Sequence, residues 1–236
     1  MSIAARAGAR MPHGDSFFSD VLLLANGAGL LIDSSKYNRV LTSENSIALN
    51  GTFPLNGANT YSTPPSGRLN NNDGAAVASL VGSSEWCAEG YIRYGSASFG
   101  IEGNVNQWPF GITSITPSRQ IRYINSSLLL DLLTPTGLPS GAFGHYAIIC
   151  DNTTDPTWRR YHIAIEGVVR ATSTENIPKA SVETVSGVRV MGFDVNSPTV
   201  TFGGYRFTRN TRRYLNNAQG EAVNDFSPDA YPFLAF

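Results

Sequence analysis

Glu85 and Glu89 are the residues of this chain best spaced for acid–base chemistry. They flank Trp86-Cys87-Ala88 in a strand-like stretch, and an extended backbone puts positions four apart on one face. Two carboxyl groups on one face can cleave a glycosidic bond, one as acid and one as nucleophile, when held ~5–5.5 Å apart. Positions i and i+4 of a straight strand, however, have Cα atoms about 13 Å apart at ~3.3 Å per residue. The competing reading is one Glu at a strand edge and one on a sheet face. No Gly-x-Ser-x-Gly elbow occurs. Of the three histidines, His13 lies in a polar N-terminal segment, and His145 and His162 lie in strand-like stretches, so no triad is expected. Cys87 and Cys150 stand in apolar stretches and read as small buried side chains rather than a disulfide framework. Without a Cys-x-x-Cys or His/Cys cluster, no zinc site is expected. Asp151-Asn152-Thr153-Thr154-Asp155 and Asn70-Asn71-Asn72-Asp73 offer the oxygens calcium prefers. The same residues are good turn formers. No metal ligand is assigned and no cofactor is expected; calcium stays a minor alternative.

Binding residues are easier to nominate. Trp108-Pro109-Phe110 follows Asn104 and Asn106 in a loop-like stretch, and Tyr61 lies in an Asn-, Pro- and Gly-rich one. Trp108, Phe110, Tyr61 and Asn106 are therefore the candidates for a glycan platform or a protein interface, with a local core lid as the third reading of Trp108. Trp86 and Trp158 lie in strand contexts and are expected in the core. Of 17 basic residues only Lys36 and Lys179 are lysines. Arginine suits planar, bidentate protein contacts, so Arg6, Arg10, Arg209, Arg212 and Arg213 are candidate assembly contacts. For the group Arg206, Arg209, Arg212 and Arg213, the alternative is solvated turn charge paired with Glu221, Asp225 or Asp229. A net charge of −1 gives no long-range attraction for nucleic acid or an anionic membrane, and neither is expected as a partner.

These residues must be positioned by β structure. The chain has 236 residues, 42% hydrophobic and 15% charged, with 23 Gly and 13 Pro. That composition excludes a disordered chain and disfavours helices. Apolar stretches of four to eight residues alternate with turn-rich ones. Strands are expected near 21–25, 29–32, 39–42, 46–50, 76–81, 86–94, 97–102, 111–115, 119–124, 127–133, 144–150, 160–166, 168–172, 187–194 and 199–207. Glu166-Gly167 reads as a tight hairpin. Residues 1–20 read as an extended N-terminal arm and 21–236 as one domain. The short apolar run Val21–Leu24, broken by Asn26-Gly27, makes a poor signal peptide, and no run approaches the ~20 residues of a membrane-spanning helix. Three Asn-x-Ser/Thr triplets, at Asn50, Asn125 and Asn152, read as chance matches. Many strands without intervening helices imply an all-β, two-sheet antiparallel sandwich or barrel.

The order of several segments resembles the laminin-G-like, concanavalin A-like jelly-roll domains found in virion proteins of tailed bacteriophages. The segments are Phe18–Leu24 with Asp33-Ser34-Ser35, Trp86–Ile92, Gly144–Ile149, the Trp158–Val169 hairpin with Glu166 where Asp is usual, Phe202–Tyr214, and the close Phe226–Phe233. The resemblance spans roughly 17–236. It departs where an Asp is usual near Gly204-Tyr205 and in the 50–75 insert. It implies a two-sheet jelly roll and no single function. Hydrolases of this type use a middle Asp between the two Glu, and Cys87 cannot replace it.

The resulting expectation is a non-enzymatic structural protein of a bacteriophage particle, as head decoration or tail component. It would be made in the host cytoplasm and incorporated in the virion, contacting other virion proteins and copies of itself. The alternative is a lectin-like module for a host-surface glycan; a glycoside hydrolase ranks third.

Overall fold

A computed structural model describes residues 21–25, 27–54, 57–64, 67–71, 85–93, 99–102, 111–125, 128–179, 188–190 and 200–209. Sixteen strands are present among them: β1 (Val21–Ala25), β2 (Leu41–Glu44), β3 (Ala48–Thr52), β4 (Asn59–Thr63), β5 (Arg68–Asn71), β6 (Trp86–Arg93), β7 (Phe99–Glu102) and β8 (Ile112–Ile115), then β9 (Gln120–Asn125), β10 (Leu130–Gly137), β11 (Phe143–Asp151), β12 (Trp158–Ile165), β13 (Val168–Thr172), β14 (Ile177–Pro178), β15 (Val188–Val190) and β16 (Val200–Arg209). Every pairing is antiparallel. Sheet A runs β13-β12-β11-β6-β16-β4-β3, with β1 on β16 and β14 on β12; sheet C runs β10-β9-β8-β7-β15-β5-β2. The two-sheet antiparallel jelly-roll sandwich expected from the sequence is the fold observed. The arm at 1–20 and the strand expected at 76–81 lie outside the described residues.

Alternation builds the core. Trp86, Ala88 and Ile92 of β6, Tyr146, Ile148 and Cys150 of β11, and Tyr161, Ile163 and Ile165 of β12 face Ile115, Ile121, Tyr123, Leu130 and Leu132 of sheet C in one cluster. Trp86 meets Tyr161 edge-on at 6.1 Å, and Tyr123 stacks on Tyr161 at 5.7 Å. The 166–167 hairpin is present: Glu166 and Gly167 both have positive φ, 51° and 72°, as a type I′ turn requires.

Two expectations are corrected. The strand at 29–32 shrinks to one bridge, Ile32 to Val40, because Asp33 turns the chain. Its carboxylate accepts from the N–H of Leu24, Ser35 and Arg39 and from the Ser35 hydroxyl. The 50–75 stretch is not a loop insert, since it supplies β4 and β5. Cys87 and Cys150 are the small buried, unbridged side chains expected, on neighbouring strands but on opposite faces of sheet A.

The longest strand, β16, carries a bulge between Phe202 and Gly204 against β6. A Cβ on Gly203 would lie 2.4 Å from the Phe53 ring, and Phe53 is fully buried. Gly203→Ala should therefore cost about 1–3 kcal/mol through overpacking, read as a lower urea midpoint with unchanged slope.

Candidate functional site

The second face of sheet A carries the chemistry-bearing residues. Register places them in rows across four strands. One row is Arg206 (β16), Glu89 (β6), Ala147 (β11); the next is Thr208, Cys87, Ile149 and His162 (β12). All are buried. Arg206 donates from Nε to Glu89 Oε1 at 2.9 Å, and its Nη2 reaches the same oxygen. His145 Nε2 lies 3.0 Å from Glu89 Oε2. Ala147, directly opposite Glu89, is small, which leaves the diagonal neighbour His145 room to reach the carboxylate. The His145 backbone is held in turn by Glu166, whose carboxylate accepts its N–H at 2.8 Å and whose N–H donates to its carbonyl at 3.1 Å. Tyr91 lies 4.9 Å from the His145 ring. Burial, then the Glu89 and Glu166 charges, push its phenol far above the ordinary tyrosine range. Phe53 closes this end, meeting Tyr91 at 5.4 Å and Phe143 at 4.8 Å.

This arrangement dismantles the hydrolase pair. Glu89 is fully buried and both its oxygens are engaged, so its carboxyl cannot touch a substrate. Glu85 precedes β6 and accepts from the Thr153 hydroxyl. Arg206, for which bidentate protein contacts and solvated turn charge are the two sequence readings, lies in the sheet as the partner of Glu89. The signal was its place between Tyr205 and Phe207, which forces it to the face opposite two core aromatics.

A second polar group sits where the face opens. Asp151 Oδ1 accepts from the N–H of Thr153 and Thr154, and His162 Nε2 lies 3.7 Å from Oδ2. Burial opposes ionisation of Asp151, yet His162, the Thr154 hydroxyl and these N–H groups hold its carboxyl well below the usual carboxylate range. His162 Nδ1 contacts the Thr172 hydroxyl at 2.9 Å. Beyond His162 the outward positions of β12 are Arg160 and Trp158, both half-buried. Asp155 accepts from the N–H of Thr157 and Trp158 and from Nε and Nη2 of Arg160; the Trp158 and Thr157 N–H groups and then Arg160 hold its carboxyl at about 2.

The remaining sequence candidates divide. Tyr61 is corrected: it is not an exposed platform but a fully buried residue of β4. Its hydroxyl accepts from Gly27 N–H at 3.0 Å and donates to the Gly29 carbonyl, and burial pushes its phenol up to about 12. Arg209 is half-buried at the end of β16, opposite Trp86. Trp108, Phe110, Asn106, Arg6, Arg10, Arg212 and Arg213 lie outside the described residues. Trp86 is in the core as expected; Trp158 does not belong to the core clusters of the described residues. Among the described residues no three His, Cys, Asp or Glu converge as a metal site.

No family model matches the sequence, and no curated protein matches it. Solved structures do match. They include the binding domain of botulinum neurotoxin serotype C1 (14% identity, TM-score 0.59, 81% of this chain and 49% of that one). Another is the binding domain of botulinum neurotoxin DC in complex with rat synaptotagmin II (13%, 0.62, 91% and 51%). A third comes from work on botulinum neurotoxin type C, whose cell entry depends on interaction with two ganglioside molecules (13%, 0.61, 81% and 48%). The chain thus spans about half the length of these structures, and at such identities the likeness is one of fold.

Two predictions follow from the buried charges. Glu89→Leu or Arg206→Met alone strands a buried charge and should cost about 3–5 kcal/mol. The double variant should cost clearly less than the sum in a denaturation cycle. Because the folded Asp151 carboxyl is depressed, its contribution is complete above the ordinary carboxylate pKa of ~3.9 and is lost as pH falls below it. Asp151→Asn should flatten the acid limb of the stability–pH curve.

Proposed function

We propose that this chain is a non-enzymatic binding module that works through surface contacts. In its finer form it is a structural protein of a bacteriophage particle, as head decoration or tail component, contacting other virion proteins and copies of itself. The observation that carries the non-enzymatic reading is the state of Glu89, buried and matched by Arg206 and His145. Chemistry needs a carboxyl within hydrogen-bond reach of substrate, and this one is spent on holding strands together. The exposed surface carries aliphatic side chains instead: Leu31 (46% exposed), Ile32 (47%) and Val40 (77%) near one end of sheet C, Leu129 (88%) and Leu133 (47%) near the other. The virion assignment is supported by the order of sequence motifs.

Glycan recognition is the second reading. Its support is the likeness to binding domains, one of them from a toxin whose cell entry depends on two gangliosides. Here too the protein acts by binding rather than turnover.

Light scattering on the purified full-length chain, with and without residues 1–20, tests the assembly role. An oligomer that dissociates on deletion is the expected result; monomers in both forms would remove self-assembly through the arm. In parallel, aryl glycosides should show no hydrolysis above buffer. Turnover abolished by Glu89→Gln would overturn the non-enzymatic reading.

A further inference from the structure

We propose that Trp158, with the Asp155–Arg160 pair beside it, is a platform for a neutral pyranose sugar; this rests on the glycan reading above. Four observations carry it. First, the indole stands apart from the core clusters of the described residues, whereas Trp86 is packed against Tyr161 and Phe207. Second, exposure along the outward positions of β12 runs from buried Ala164 and His162 to half-buried Arg160 and Trp158. The face therefore becomes accessible at the indole. Third, the β11–β12 connection that frames it is fixed before any ligand arrives. Asp151 and Asp155 hold its N–H groups, Arg160 is tied to Asp155 and to the Glu175 carbonyl, and Arg159 bonds Asn152 and the Lys179 carbonyl. A pre-ordered loop loses little entropy on binding. Fourth, the ion pair beside the indole is compensated. Asp155 cancels Arg160 at 2.6 Å, and Thr153 and Thr157 are exposed beside them.

A flat apolar ring bordered by hydroxyls and a compensated ion pair matches the two characters of a neutral pyranose. Its C–H face lies on the indole, and its hydroxyl edge finds donors and acceptors. A sialylated sugar brings a carboxylate, and the guanidinium beside the indole, Arg160, already serves Asp155 and the Glu175 carbonyl.

The test uses the full chain and a soluble panel of lactose, N-acetyllactosamine, cellotriose, chitotriose and 3′-sialyllactose, read by saturation-transfer NMR and tryptophan fluorescence. A neutral member should bind. Trp158→Ala should weaken it about thirtyfold, as for a central aromatic anchor, while Trp158→Phe keeps part of the affinity. Thermal unfolding of both variants checks that they remain folded, and the Phe variant carries the test if the Ala variant does not fold. Neutral binding that survives both Trp158 variants and disappears with Trp108→Ala would overturn this site and leave the glycan reading standing. Binding of 3′-sialyllactose alone would overturn the neutral-sugar assignment. Silence of the wild-type chain across the panel would overturn the site together with the glycan reading.

Discussion

The register of sheet A turns on the pair formed by Arg206 and Glu89. Strand β16 runs through the middle of that sheet, hydrogen-bonded to β6 on one side and to β1 and β4 on the other. A slip of one residue would exchange the faces of every side chain it carries. Arg206 would then enter the apolar core, while Tyr205 and Phe207 would leave it. A charge stranded between the sheets costs several kcal/mol, far more than the slip gains elsewhere. In the observed register the guanidinium meets the one carboxylate directly across the ladder. The pair need add little net stability; its energetic weight lies in the penalty on every alternative pairing.

The rest of the outer face follows from this choice. Once Arg206 has met one oxygen of Glu89, the other is left for a third polar group, and His145 reaches it from the diagonal position. The spaces between are filled by Cys87, Ala147, Ile149 and Ala164. The tip of β13 is held by the same device at smaller scale, with His162 between Asp151 and Thr172. Arg206, Glu89 and His145 therefore form one matched set, the condition for burying such groups.

Sequence pattern made most strands legible as short apolar stretches between turn-rich ones, and the two-residue period of a strand then sorts their side chains between faces. Cys87, Glu89 and Tyr91 had to share one face, and Trp86, Ala88 and Ile92 interleave mostly onto the other. What pattern could not supply was partnership across strands. Glu89 and Arg206 are 117 residues apart, and only the topology that inserts β16 beside β6 makes them neighbours. Strands β4 and β5 were hidden for a different reason. Their residues, Asn59–Thr63 and Arg68–Asn71, are polar, and they qualify as strands by what they contact: Tyr61 through Gly27, Asn70 and Arg68 through Glu44. Tyr61 and Trp158 exchanged their expected places on the same logic. Tyrosine can be fully buried when its hydroxyl finds backbone partners. Trp158 takes the outward alternate of β12, because Tyr161, Ile163 and Ile165 hold the inward one.

This construction leaves the middle of sheet A without an open face. In the central strands of sheet A both faces hold buried side chains, so no large surface is left there for a ligand. Among the described residues, accessible features include the ends of sheet C, with their exposed aliphatics, and the β11–β12 connection, with its fixed loop and half-buried indole. Each is supported by an interior that does not need to move. Loops on a rigid sheet can vary in chemistry without disturbing the register below. The Asp151 carboxylate shows the coupling from the other side: it orders the turn at Thr153 and Thr154 and also faces His162 in the sheet. A change of partner at the loop would therefore be felt in the sheet at that one residue, and elsewhere the surface can be rewritten while the Arg206–Glu89 register stays as it is.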